Sequence, residues 1–322
     1  MTSHRSRAIA IIGIVLTAWV WLIANAHAST PRLPQDIGEF VAFCPLSHRA
    51  PDDPIVHKNM PGMSHLHDFL GNVTTNASST LESLLVGDTT CNPVSDKSSY
   101  WVPSLLGANS QPIPFDQVTI YYLVDVDNAQ AVKPYPPGLK IVAGNSAATT
   151  APNPSHFKWS CLGENVSSTT DFVICPQGSK LELLLNFPDC WDGQNVDSAD
   201  HKSHMAYNAN HTCPASHPVP VPQLQFKLRY ATRGEVGMKL ASLGSGSAAA
   251  THGDFFNAWD ETALANRMNC LRELIKCGAE GYPGKPDLTP TATRPLPPKG
   301  TPTVTPTTPP KDKFVYLPIA MK

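Results

Sequence analysis

Charge is scarce in this chain: only 16% of its 322 residues are Asp, Glu, Lys or Arg, and they leave a formal net charge of −2. With a pI near 6.6, there is neither a basic footprint for nucleic acid nor a strongly acidic surface, so partners must be inferred from local chemistry. Beyond the N-terminal segment no apolar run is long enough to cross a membrane. The C-x-x-C spacing of zinc fingers is lacking too, and no internal repeat is present.

What is there begins at the N-terminus. Residues 1–28 open with a basic segment (His4, Arg5, Arg7), continue through an apolar stretch from Ala8 to Ile23 and close on Ala26-His27-Ala28. That pattern reads as a secretory signal peptide, with a retained membrane anchor as the alternative. Either reading puts the remainder outside the cytoplasm. Eight cysteines follow, an even number suited to an oxidising compartment. We expect sequential pairing, Cys44–Cys91, Cys161–Cys175, Cys190–Cys213 and Cys270–Cys277, although composition alone permits 105 pairings. Seven residues of regular helix span roughly 10 Å, beyond disulfide reach, so a helix approaching Cys277 must end before it if the last pair forms.

From about Tyr282 to Lys313 the composition collapses to Pro, Thr, Gly and Lys, which cannot bury apolar surface and reads as an extended linker. The last nine residues, 314–322, turn apolar again and are read as a sorting or attachment signal, or as a functionless terminus. Between them, residues 33–281 suffice for one domain. Strand-like runs fall at 118–124, 139–143, 171–175, 180–187 and 223–230. One helix is expected over 260–276, where Leu264, Met268, Leu271, Leu274 and Ile275 recur at helical spacing. The expected fold is mainly β, an antiparallel β-sandwich or jelly-roll-like domain with long disulfide-stapled loops and one C-terminal helix.

Histidines collect in three distant patches: Ser64-His65-Leu66-His67-Asp68, Asp200-His201-Lys202-Ser203-His204 and His252-Gly253-Asp254. His65 and His67, two apart, share a face if extended; His201 and His204, three apart, share one side of a turn; His252 and Asp254 repeat the i, i+2 spacing with a carboxylate. Three readings stay open. A divalent ion, zinc or copper, is held by several of these side chains, with Asp68, Asp197 or Asp200 fixing imidazole tautomers. Alternatively a histidine moves a proton beside a carboxylate without metal, or the groups satisfy one another in a polar core. The segment Asp96-Lys97-Ser98-Ser99-Tyr100-Trp101-Val102-Pro103 carries the mixture of rings and hydroxyls that stacks on sugars, as does Trp191; core packing of Trp101 is the competing account.

Asp53-Pro54-Ile55-Val56, the run from Pro61 to Asn72, the Asp96–Pro103 segment, Cys190-Trp191-Asp192-Gly193, the run from Asp197 to Tyr207 and His252-Gly253-Asp254-Phe255 together resemble a secreted family, DUF1996, a domain of unknown function in bacteria and fungi. The resemblance runs from about Phe40 to Trp259, with the motifs in the family's order. It places the family's recurring histidines on His65, His67, His201, His204 and His252, and its recurring acids on Asp53, Asp200 and Asp254. Fungal members often carry WSC-type carbohydrate-binding modules, which implies a setting at walls or extracellular polysaccharide. They also show a closely spaced cysteine pair before the Asp-Lys-Ser motif, where this chain has Cys91 alone, which bears on the expected bridge to Cys44.

These observations lead to an exported monomer with one histidine/aspartate site that acts on or binds extracellular polysaccharide, and with no nucleic-acid or membrane partner once the leader is removed. As an enzyme it would be a hydrolase or lyase, with His65, His67 and His204 as metal ligands, His201 or His252 carrying the proton, Asp254 orienting its neighbour and Asp53 supporting them. The rival is a non-catalytic binding or adhesion module in which Tyr100, Trp101 and Trp191 meet the sugar and the histidines brace loops. A structural wall protein without a small ligand is the third reading.

Overall fold

The computed structural model describes residues 37–284 apart from 153, 155, 243 and 245. The expected leader, nearly all of the Pro/Thr segment and the apolar tail lie outside the described residues. Two antiparallel sheets form the body. The larger sheet takes its main strands from Glu39–Ala42, Phe115–Leu123, Gln223–Tyr230, Leu181–Asn186 and Phe157–Cys161, in that spatial order. The smaller one orders Leu46–Ala50, His67–Gly71, Ser99–Pro103, His252–Phe256 and Lys140–Gly144.

The Gln223–Tyr230 strand shows why the larger sheet is readable: every second side chain from Leu224 to Tyr230 is fully buried while the intervening ones reach toward solvent. Its inward residues meet the smaller sheet. Phe226 packs edge-on against Tyr100 at 5.8 Å between ring centres, and a Cβ at Gly253 would lie 2.7 Å from Leu185 and 3.3 Å from Phe187 and Phe226. The core between the sheets therefore holds Leu70, Tyr100, Val102, Ile141, Ala143 and Phe255 from the smaller sheet.

The three central strands of the smaller sheet differ in kind, because both of their faces are buried. On the outward face Phe69, Trp101 and Phe256 form a second apolar cluster with Ile55 and Leu84. Ile55 belongs to the 51–64 loop and Leu84 to a short helix, Leu81–Val86, capped by Thr80. This helix was not among the expected elements; its six residues are too few to display a period. No strand forms at 171–175, where Cys175 instead joins Cys161.

The C-terminal helix runs Glu261–Arg272 with the Asp260 carboxylate accepting from Ala263 N. It ends before Cys277, and Cys270 and Cys277 bridge across a Cα separation of 6.1 Å. The other bridges are Cys44–Cys91, Cys161–Cys175 and Cys190–Cys213. Among the described residues no helix is long and apolar enough to cross a membrane.

Candidate metal centre

Strand register brings the first and third histidine patches together. His67 lies opposite Pro103, and Asp254 lies opposite Trp101 on the same central strand. Continuing that register by two residues sets His252 beside Pro103 as well, so His67 and His252 flank the same residue of the central strand. Their rings lie 5.9 Å apart, and His65, two residues before His67, brings its ring within 4.2 Å of His67 and 4.9 Å of His252. One ligand atom from each of the three lies within 4.8 Å of the other two.

The tautomers are set from behind. His67 Nδ1 donates to the Asp52 carbonyl at 2.8 Å and His252 Nδ1 to the Ala250 carbonyl at 2.7 Å. Each ring is thereby left with an Nε2 lone pair facing inward. His67 Nε2 is buried without a partner, and the Nε2 atoms of His65 and His252 stand 2.9 Å apart. Burial lowers all three imidazoles: His65 to about 4, His252 to about 3 and His67 well below its ordinary value, with the neighbouring histidines adding to the effect. Neutral rings are what a cation requires.

A carboxyl pair adjoins them. Asp53, His67 and Asp254 form a second convergent group, also within 4.8 Å. Asp53 accepts from Ile55 N and Val56 N, which starts the turn of the 51–64 loop. Asp254 Oδ2 is buried without a partner. Its carboxyl is pushed well up by burial and by the charge of Asp53, against the pull of Lys202. A third geometric group, Cys44, Cys91 and Asp96, has no ligand character because its sulfurs form a disulfide.

His65, His252 and Asp254, with His67 buried beside them, line a cleft of about 180 Å³ whose other walls include Ser64, Asn145, Ser146, His201 and Lys202. The second patch supplies its rim rather than its floor. His201, in a left-handed backbone conformation (φ 59°), donates Nδ1 to Asp197 at 2.8 Å, and Asp197 also takes Lys140 Nζ at 2.8 Å. Asp200, exposed, accepts from Lys202 N, Ser203 N and the Ser198 hydroxyl, so it shapes the turn, and those bonds hold its carboxyl below the ordinary range.

Several expected roles are corrected. His204 is no ligand: its ring nitrogens bond Ser198 Oγ at 2.9 Å and the Lys140 carbonyl at 2.7 Å, which ties the loop to the sheet. His252, expected as one of two candidates to carry a proton, is the third member of the convergent set. Asp254 orients no imidazole through a hydrogen bond. Asp68 faces away from His67 across the strand and binds Arg49 and Ser104. Tyr100 and Trp101 are 0% exposed and cannot stack on a ligand. Tyr100 bonds Asp96 and Tyr122 in the core, and Trp101 packs on Phe69. Trp191 is half-buried, its Nε1 donating to the Asn195 carbonyl at 2.6 Å. Asp52, His57 and Lys202 were not foreseen as site residues; Asp52 acts through its main-chain carbonyl, which no residue pattern reveals.

Comparison with curated proteins and with solved structures gave no match in either. The family model described as "Domain of unknown function (DUF1996)" matches residues 53–259, which span every convergent side chain from Asp53 to Asp254. The chain belongs to the DUF1996 family.

Proposed function

We propose that this chain is an exported metal-dependent protein that acts on extracellular polysaccharide, with one divalent ion held by His65, His67 and His252. The observation that carries the reading is the meeting of three imidazoles, two of them locked by main-chain carbonyls into the tautomer that presents Nε2. Nitrogens about 2.05 Å from an ion lie about 3.3 Å apart at tetrahedral angles and about 2.9 Å apart at a right angle. The His65–His252 separation of 2.9 Å falls at the tighter end of that range. Three imidazoles suit zinc or copper. The orphaned oxygen of Asp254 fits the same reading, since a buried carboxyl beside Asp53 becomes easier to ionise when a cation neutralises the pair.

When bound, such an ion polarises an oxygen of water or substrate. The remaining work belongs to the cleft. His201, with Nδ1 committed to Asp197, has Nε2 as the ring nitrogen that takes or returns a proton at the rim. Lys202 offers positive charge there, and Ser64, Asn145 and Ser146 offer hydroxyl and amide groups of the kind that bind sugar hydroxyls. Low pKa values make His65 and His252 weak bases at neutral pH, which favours ligation over proton transfer for these two. Burial of Tyr100 and Trp101 removes two of the three rings that a purely adhesive module would use and leaves Trp191 half-buried.

The test is metal analysis of the purified full-length protein after exhaustive dialysis, followed by a turnover screen on polysaccharides with and without the ion. About one tightly held divalent ion per chain is expected, with polysaccharide cleavage that a chelator abolishes. A chain that retains no ion and binds neither zinc nor copper in titration would overturn the metal centre.

A further inference from the structure

A second cavity, of about 220 Å³, adjoins the polar cleft, and Gly144 and Asn145 line both. Its character is opposite. Phe157, Leu185, Ala249 and Thr251 line it, with His156 and Tyr207 stacked on one another at 3.4 Å between ring centres and 5° between planes. The Tyr207 hydroxyl is already committed to the Asn186 carbonyl at 3.0 Å, and burial lowers His156 toward its neutral form. Almost nothing polar is therefore offered to an occupant.

The shared wall is built with little tolerance. Gly144 has φ +77°, and a Cβ there would lie 2.2 Å from the Thr251 carbonyl and 2.8 Å from His252 Cα. The strand end is thus pressed against the strand that carries His252, and Lys202 Nζ binds the Gly144 carbonyl at 2.6 Å. A molecule in the metal cleft therefore has the apolar cavity as its neighbour along the wall formed by Gly144 and Asn145. An apolar cavity of about 150 Å³ is known to take benzene, so this one has room for a substituted ring.

We propose that this cavity is a subsite for an aryl ring borne by the same molecule whose polar part enters the metal cleft. The inference rests on the metal-centre reading and narrows its substrate to an aryl-substituted saccharide. A bare sugar ring, with hydroxyls around its edge, would leave them without partners here. The ring is bound by apolar contact alone, and Gly144 and Asn145 set the distance between it and the reacting group.

Toluene is the probe. Titrated into the full-length protein with labelled methyl groups, it is expected to shift the Leu185, Ala249 and Thr251 resonances saturably while glucose leaves them in place. Ala249→Leu, which fills the cavity, should weaken toluene at least about tenfold; Ala249→Val serves if the larger side chain prevents folding. No shift up to the solubility of toluene, an equal response to glucose, or undiminished binding in a folded Ala249→Leu protein overturns the subsite. His65→Ala separates the two ideas, because it should weaken metal binding at least about tenfold and leave the toluene response intact. A chain that binds toluene but no ion keeps the cavity and loses the centre beside it.

Discussion

The Nε2 atoms of His65 and His252 lie 2.9 Å apart although 187 residues separate them in the chain. In the metal-free state one of the two must donate to the other, and His252 has committed its Nδ1–H to the Ala250 carbonyl. His65 is therefore the donor, and displacement of that proton is part of loading the site. Single substitutions His65→Ala, His67→Ala and His252→Ala should each lower zinc affinity at least about tenfold, measured by competition with a chromophoric chelator. His204→Ala should leave affinity within about twofold while lowering stability by about 1–3 kcal/mol, the cost of stranding its buried partners. Metal loss in His204→Ala equal to that in His67→Ala would refute the assignment.

Metal should also stabilise the fold. An ion at about a thousand times its Kd adds about 4 kcal/mol to a protein that binds it only when folded. Calorimetric melting with zinc and with a chelator should differ accordingly, and the difference should vanish in His67→Ala. An unchanged melting temperature in wild type would count against a preformed centre.

Two buried carboxyls far from the centre give a pH signature. Burial raises Asp96 and Asp189 to about 6, each against hydrogen bonds that favour the charged form. A raised carboxyl pKa means that the folded state holds the proton more tightly than the unfolded chain. Their contribution is therefore greatest below pH 4 and is lost as pH climbs toward 6. His65 and His252, lowered to about 4 and about 3, oppose this, because acidification below 6.5 protonates the unfolded chain first. Asp189→Asn isolates one term: relative to wild type it should gain on the order of 2–3 kcal/mol between pH 4 and pH 7 in denaturant unfolding. A flat difference across that range would show Asp189 to be ionised throughout.

The Cys44–Cys91 bridge closes a 47-residue span that includes the whole 51–64 loop and the His67–Gly71 strand. Chain entropy assigns such a loop about 4 kcal/mol. Cys44→Ala combined with Cys91→Ala should lower unfolding free energy by that order and weaken metal binding through the loosened loop. Full metal affinity at reduced stability would show that the Asp52 and Asp53 contacts alone hold the loop in place.

The strand at 223–230 was legible because one face meets the core and the other approaches water, which writes a period of two into the residues, and the run at 118–124 was legible from its β-branched and aromatic residues, within the strand at 115–123. The strands at 67–71, 99–103 and 252–256 carry His, Asp, Ser and Gly, and no alternation marks them. Both of their faces are covered, one by the larger sheet and one by the 51–64 loop and the Leu81–Val86 helix, so polarity there reports the site instead of solvent. The residue pattern likewise could not separate Trp101 in a core from Trp101 on a surface.

Local pattern and motif order were enough to read the class of fold, the family, and which histidines and acids to watch. It took the three-dimensional fold to show that His252 joins His65 and His67, that His204 stands apart, and that an apolar cavity adjoins the polar cleft. Convergence depends on strand register and on main-chain carbonyls such as those of Asp52 and Ala250. Any residue supplies such a carbonyl, so the contacts that aim these imidazoles leave no trace in side-chain identity.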